Sequence, residues 1–134
     1  DARFCFSEVK LGLIPAVISP YVVNAIGVKR AKHLCMSAVV CSAAQALDYG
    51  LITHSVAHDA MDDTIQALAN AIANNAPNAV QNTKSLLNYV GNHAIDEELS
   101  LHCAHAIAKT RSSVEGQRGI HAFLAKKPIH WAEE

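Results

Sequence analysis

The chain is short of aromatic residues, which make up only 5% of its 134 positions, and it has just six glycines and four prolines. So few aromatics argue against a β-sandwich, while abundant alanine suits closely packed helices. No repeat, low-complexity tract or glycine- and serine-rich linker divides the chain. Strong charge of either sign is also missing. The formal net charge is -1 and the lysines are scattered, which excludes a nucleic-acid footprint or a polybasic membrane patch, since both need clustered positive charge. No apolar run approaches the roughly 20 residues that cross a bilayer. The first residues lack the charged region and small-residue cleavage site of a secretory signal, and the chain opens at Asp1 rather than methionine, as expected of a truncated or processed protein. Cys5, Cys35, Cys41 and Cys103 form no Cys-x-x-Cys pair. They are expected to be reduced core residues in a cytoplasmic setting rather than disulfide staples. There is no Gly-x-Ser-x-Gly elbow, P-loop or dinucleotide-binding glycine pattern, so serine-nucleophile and nucleotide chemistry have no local support.

What is present is a globular composition, 51% hydrophobic and 17% charged, sufficient for a real core. Phe4-Cys5-Phe6 reads as a short strand, followed by a turn through Gly12 to Pro15. Ser19 and Pro20 then mark a helix start, as N-cap and first helical residue, and the helix stops at Gly27. A second helix, Val28 to about Met36, turns Ala31, Leu34 and Cys35 inward. Ser42-x-x-Gln45 is a capping box for a short helix that ends at Gly50, and Leu51 to Val56 is expected to be a strand.

From Asp59 the helical period takes over. Met61, Ile65, Leu68 and Ile72 recur at four, three and four residues, one face of an amphipathic helix. Pro77 starts the next, which Gly91-Asn92 ends. A third runs from Ile95 to about Lys109, with Asp96, Glu97 and Glu98 at its start, Lys109 and Arg111 at its end, and an inward stripe of Ile95, Leu99, Cys103 and Ile107. Ser112-x-x-Glu115 is expected to cap a final helix reaching Lys126. The reading is thus α-rich α/β, with a strand-containing part over 1–58 and a helical part over 59–134. The helices carry more apolar edge than one small bundle hides, so a partner subunit is expected.

Two sets of side chains invite a chemical reading. Glu8 is an isolated carboxylate in the run Phe6-Ser7-Glu8-Val9-Lys10-Leu11-Gly12-Leu13-Ile14-Pro15. Were its neighbours buried, the charged form would be disfavoured and the group suited to general acid/base work; otherwise it is a surface glutamate beside Lys10. Glu98, His102 and His105 share one helical face, but a zinc site wants three or four converging ligands, and helical spacing aligns solvated residues just as readily. No metal is expected.

The run from Phe6 to Pro15 resembles the crotonase (enoyl-CoA hydratase/isomerase) superfamily. So do Ala25-Ile26-Gly27, the segment Ala43 to Gly50 with Leu51-Ile52, and Ala122-Phe123-Leu124-Ala125-Lys126-Lys127-Pro128. The resemblance covers nearly the whole chain but only the C-terminal half of such proteins, and Ala16-Val17-Ile18-Ser19-Pro20 resembles the bacterial methylglutaconyl-CoA hydratase-like branch. It implies the end of the spiral ββα core (1–58) with one catalytic glutamate, Glu8, followed by a helical region (59–134) for trimerisation and CoA contact. Leu13, Ile14 and Ala16 would line the acyl side; Phe123 and Lys126 would approach the CoA moiety. Arg118 stands where relatives commonly carry a glutamate. The implied activity is hydration of a 2-enoyl-CoA, possible substrates including 3-methylglutaconyl-CoA. No cofactor is implied beyond the coenzyme A of the substrate. The alternatives are an enoyl-CoA isomerase and, for the chain alone, a non-catalytic oligomerisation module.

Overall fold

The structure, a computed structural model, describes residues 1–131. The chain divides into two compact units, Asp1–Ala60 and Met61–Glu134. No described helix is long and apolar enough to cross a membrane.

In the first unit, β1 (Arg3–Phe4) pairs antiparallel with β2 (Cys41–Ser42), Arg3 opposite Ser42 and Phe4 opposite Cys41. Between them lie a 3-10 turn, Glu8–Leu11, and α1 (Ser19–Ser37); α2 (Ala43–Tyr49) follows. The helix start is shifted from the expected one. Ile18 is the N-cap and Ser19 already belongs to the helix, its hydroxyl donating back to the Ala16 carbonyl. The stop at Gly27 is a break inside one helical run, at φ 74 and ψ 160, a conformation open to glycine because it has no Cβ. Val22, Ile26, Ala31 and Leu34 of α1 close against Cys41 and Ala46, with Phe4, Phe6, Tyr49, Leu51 and Ile52 around them.

The Ser42–Gln45 capping box forms in both directions, and Gly50 takes the left-handed position after α2. The strand expected over Leu51 to Val56 does not form. Leu51 N–H and Ile52 N–H both donate to the Ala46 carbonyl, so they serve the helix end instead of a neighbouring strand.

The second unit is helical: α3 (Met61–Ala73), α4 (Pro77–Val90), α5 (Glu97–Ser112) and α6 (Val114–Leu124). α4, α5 and α6 pack on one another, with Leu99 as the buried apolar residue of α5. The expected inward stripe of α5 is only partly inward. Ile95 precedes the helix and is 95% exposed, and Ile107 is 65% exposed. The stripe of α3 is open too, Met61, Ile65, Leu68 and Ile72 all being exposed.

The capping of α6 differs from the expected box in an informative way. Ser113, one residue later, receives the Gly116 N–H on its hydroxyl, leaving Glu115 free to reach α4. One Glu115 oxygen accepts from Ala79 N–H at 2.8 Å and the other from Asn78 N–H and Asn78 Nδ2, each at 3.1 Å. α4 has no side-chain cap of its own at Ala76. Glu115 therefore satisfies donors that the helix start leaves open, and places negative charge where the dipole favours it. Glu115→Ala is expected to cost about 2 kcal/mol, since hydrogen bonds to a charged group are the stronger kind. Urea unfolding followed by the single tryptophan, Trp131, measures this; an unchanged midpoint would count against the brace.

Candidate active site

Glu8 opens the 3-10 turn that follows β1 instead of ending a strand. Leu13 N–H donates to the Glu8 carbonyl at 3.0 Å and Gly12 N–H to the Val9 carbonyl at 3.2 Å, with Gly12 left-handed at φ 71. This closure pins the backbone of Glu8, and the turn packs against α1. The side chain is half-buried, and its Oε2 is shielded from solvent without a hydrogen-bond partner among the described residues. Such an atom is uncommon, because leaving a buried acceptor unsatisfied costs about 1 to 3 kcal/mol. Its apolar sequence neighbours Leu11, Leu13 and Ile14 are not buried with it but exposed.

An apolar hollow of about 240 Å³ lies along α1, lined by Pro15, Val22, Val28, Ala31, Cys35 and Met36 among others. Cys35 links it to the carboxylate. Burial first, and then the negative charge of Glu8, push the Cys35 thiol above its ordinary pKa. Burial raises the Cys41 thiol in the same direction. The residues expected on the acyl side are not the ones lining this hollow. Leu13 is 59% exposed, Ile14 76% exposed, and Ala16 is exposed with its N–H donating to the Ile14 carbonyl.

Phe123 and Lys126 belong to the second unit. Phe123, in the last turn of α6, is 81% exposed. Lys126 does not extend that helical face, because α6 ends at Leu124 and Lys126 adopts the left-handed conformation at φ 53. Its N–H donates to the Phe123 carbonyl and that of Lys127 to the Ala122 carbonyl, the paired bonds of a helix end usually made with glycine. Nothing in the helical period signalled this, since Pro128 sets the stop only approximately. On α5, His102 stacks on Tyr89 at 3.9 Å, and Tyr89 stacks on His93 at 3.8 Å. The Glu98, His102 and His105 face thus presents a ring pile, and the described residues gather no set of three metal-ligating side chains.

The family model for enoyl-CoA hydratase/isomerase matches residues 1–134. The chain belongs to that family. The short-chain-enoyl-CoA hydratase of Clostridium acetobutylicum is 30% identical over 130 residues, covering 96% of this chain and 49% of that protein. The 1,2-epoxyphenylacetyl-CoA isomerase of Escherichia coli is 30% identical over 128 residues, covering 95% and 48%. Among solved structures, a Legionella pneumophila protein assigned as an enoyl-CoA hydratase/isomerase (crotonase) is 56% identical with a TM-score of 0.81, covering 94% of this chain and 49% of that one. The helix-rich fold is therefore shared with crotonase-type proteins. The chain spans about half the length of the curated relatives it matches, 50% and 49% for the first two.

Proposed function

We propose that this chain is the C-terminal portion of an enzyme that adds water across the double bond of a 2-enoyl-CoA thioester, with Glu8 as the group that exchanges a proton with the α-carbon. The observation that carries the reading is the shielded Oε2 of Glu8, without a hydrogen-bond partner among the described residues and near enough to Cys35, on the wall of an apolar hollow, for its charge to act on that thiol. In hydration, the water oxygen bonds to C3 and the π pair moves towards C2 and the thioester carbonyl. Glu8 delivers a proton to C2, and the water's lost proton passes to a second carboxylate. In the reading drawn from resemblance, that carboxylate and the backbone donors for the enolate oxygen come from a segment outside this chain. Each such donor is worth about 3 to 4 kcal/mol, so the 134 residues alone are expected to turn over no substrate efficiently. Alone, they serve as a helical oligomerisation module.

An enoyl-CoA isomerase is the second reading, since the family takes in hydratases and isomerases alike. One carboxylate that removes a proton at one carbon and returns it at another suffices for that chemistry. The open stripe of α3 supports a homo-oligomer, a trimer or a dimer of trimers, in a cytoplasmic enzyme. Exposed Phe123 and left-handed Lys126 support contact with CoA.

The resemblance carried by Ala16, Val17 and Ile18 implies a branched acyl group such as 3-methylglutaconyl. Turnover of 3-methylglutaconyl-CoA and crotonyl-CoA by the full-length protein tests both levels of the proposal. Faster hydration of the branched substrate is expected. Preference for the straight chain would overturn the branched reading, and double-bond migration without water addition would replace hydratase by isomerase.

A further inference from the structure

We propose that the groove between α4 and α5 is a binding site for a small carboxylate carrying an apolar body. Its volume is about 480 Å³, within the range of small-ligand sites, and it lies wholly inside the second unit. Leu86 and Ala106 supply apolar wall, while Asn82, Tyr89, His105 and Lys109 bring polar groups to the same space. No carboxylate is among the lining residues; Glu98, one turn before His102 on α5, is not on the wall. The Ser85 and Thr110 hydroxyls, also on the wall, donate to the Gln81 and Ala106 carbonyls at 3.1 Å and 2.9 Å. Their hydrogens are committed to their own helices, so recognition of an anion falls to the amide, phenol, imidazole and ammonium groups.

What sets the chemistry is the way Tyr89 is held. The His93 and His102 imidazoles stack nearly parallel to its ring, at 3.8 Å and 3.9 Å, and two rings cannot share one face, so the phenol is covered on both sides. His93 is itself anchored: its Nδ1 lies 2.6 Å from the Tyr89 carbonyl, which can only accept, so that nitrogen carries the hydrogen. With both electron-rich faces covered, Tyr89 offers the groove its rim and hydroxyl. The rim is the positive part of the ring quadrupole, so it favours a negative group over a cation. Lys109 adds the fixed charge. A cation in the last turn of α5 also answers the helix dipole, as Arg111 does, but the dipole does not account for a tyrosine with both faces covered on the wall of the same apolar groove. One fixed positive charge matches a monoanion, and Leu86 and Ala106 call for an apolar body; an organic carboxylate combines the two. The site does not depend on the assignment of Glu8.

Titration calorimetry of the full-length protein with 4-phenylbutyrate at low ionic strength tests it. One saturable site per chain is expected, and the uncharged amide of the same acid should bind at least about tenfold more weakly, since hydrogen bonds to a charged group are the stronger kind. Lys109→Met keeps the apolar stem and removes the charge, and should weaken binding of the acid by a similar factor. Tyr89→Leu should weaken it by less, while Lys84→Ala, on α4 but outside the groove, leaves it unchanged. Should Tyr89→Leu fail to fold, as judged by circular dichroism, the contrast between Lys109→Met and Lys84→Ala decides. No saturable binding, equal binding of acid and amide, or equal binding by Lys109→Met and the parent would overturn the proposal.

Discussion

Replacing Glu8 by glutamine in the full-length protein is expected to lower turnover of a 2-enoyl-CoA by about 10² to 10⁴-fold, the usual contribution of a positioned acid/base group. The fold should tolerate the change. The backbone of Glu8 is held by its own turn through Gly12 and Leu13, and Oε2 has no hydrogen bond among the described residues to lose. Glutamine keeps the volume and removes the proton-transfer capacity, so the unfolding midpoint should stay near that of the parent while the rate falls. A loss of activity matched by a loss of folded protein would instead mark Glu8 as structural. The Cys35 thiol supplies a local check, since removing the neighbouring charge should lower its pKa towards the value set by burial alone and quicken alkylation at mildly alkaline pH.

The largest expected effect on stability comes from Gly116→Ala. Gly116 lies in the first turn of α6, at the corner where α5 hands over through Ser113. A Cβ there would overlap the Thr110 carbonyl oxygen and press on the Arg111 carbonyl and the Ser113 hydroxyl, each 3.2 Å away. The obstructing atoms are backbone and capping atoms, with no flexible side chain to swing aside. Relief means opening the corner, which would break the Ser113 cap and disturb the neighbouring Glu115 brace to α4. A loss of about 3 kcal/mol or more is expected, at the upper end for single substitutions. Urea unfolding read at Trp131 measures it, and a midpoint within error of the parent would show that the corner yields.

The legible parts of this fold were those written in local chemistry. Ser42, Gln45 and Gly50 fix α2 by themselves, and Pro77 marks the start of α4, because caps and prolines act within a few residues. The structure departs from expectation where another group claims the same donor or acceptor. Leu51 and Ile52 are apolar enough for a strand, yet their N–H groups go to Ala46, and Glu115 left its expected box for α4 because that helix start lacked a cap. Glu8 itself was singled out by its apolar surroundings in sequence. The hollow near it is lined by α1 residues such as Val22, Ala31 and Cys35, whose convergence only the folded chain reveals.

The central claim is that Glu8 moves a proton at the carbon next to a thioester carbonyl. Its most direct measurement follows exchange of the C2 hydrogen of a saturated acyl-CoA, which cannot be hydrated, into D₂O by the full-length protein. The parent should catalyse exchange, and Glu8→Gln should reduce it by at least about 10²-fold. Exchange at the parental rate in the glutamine variant would contradict the account.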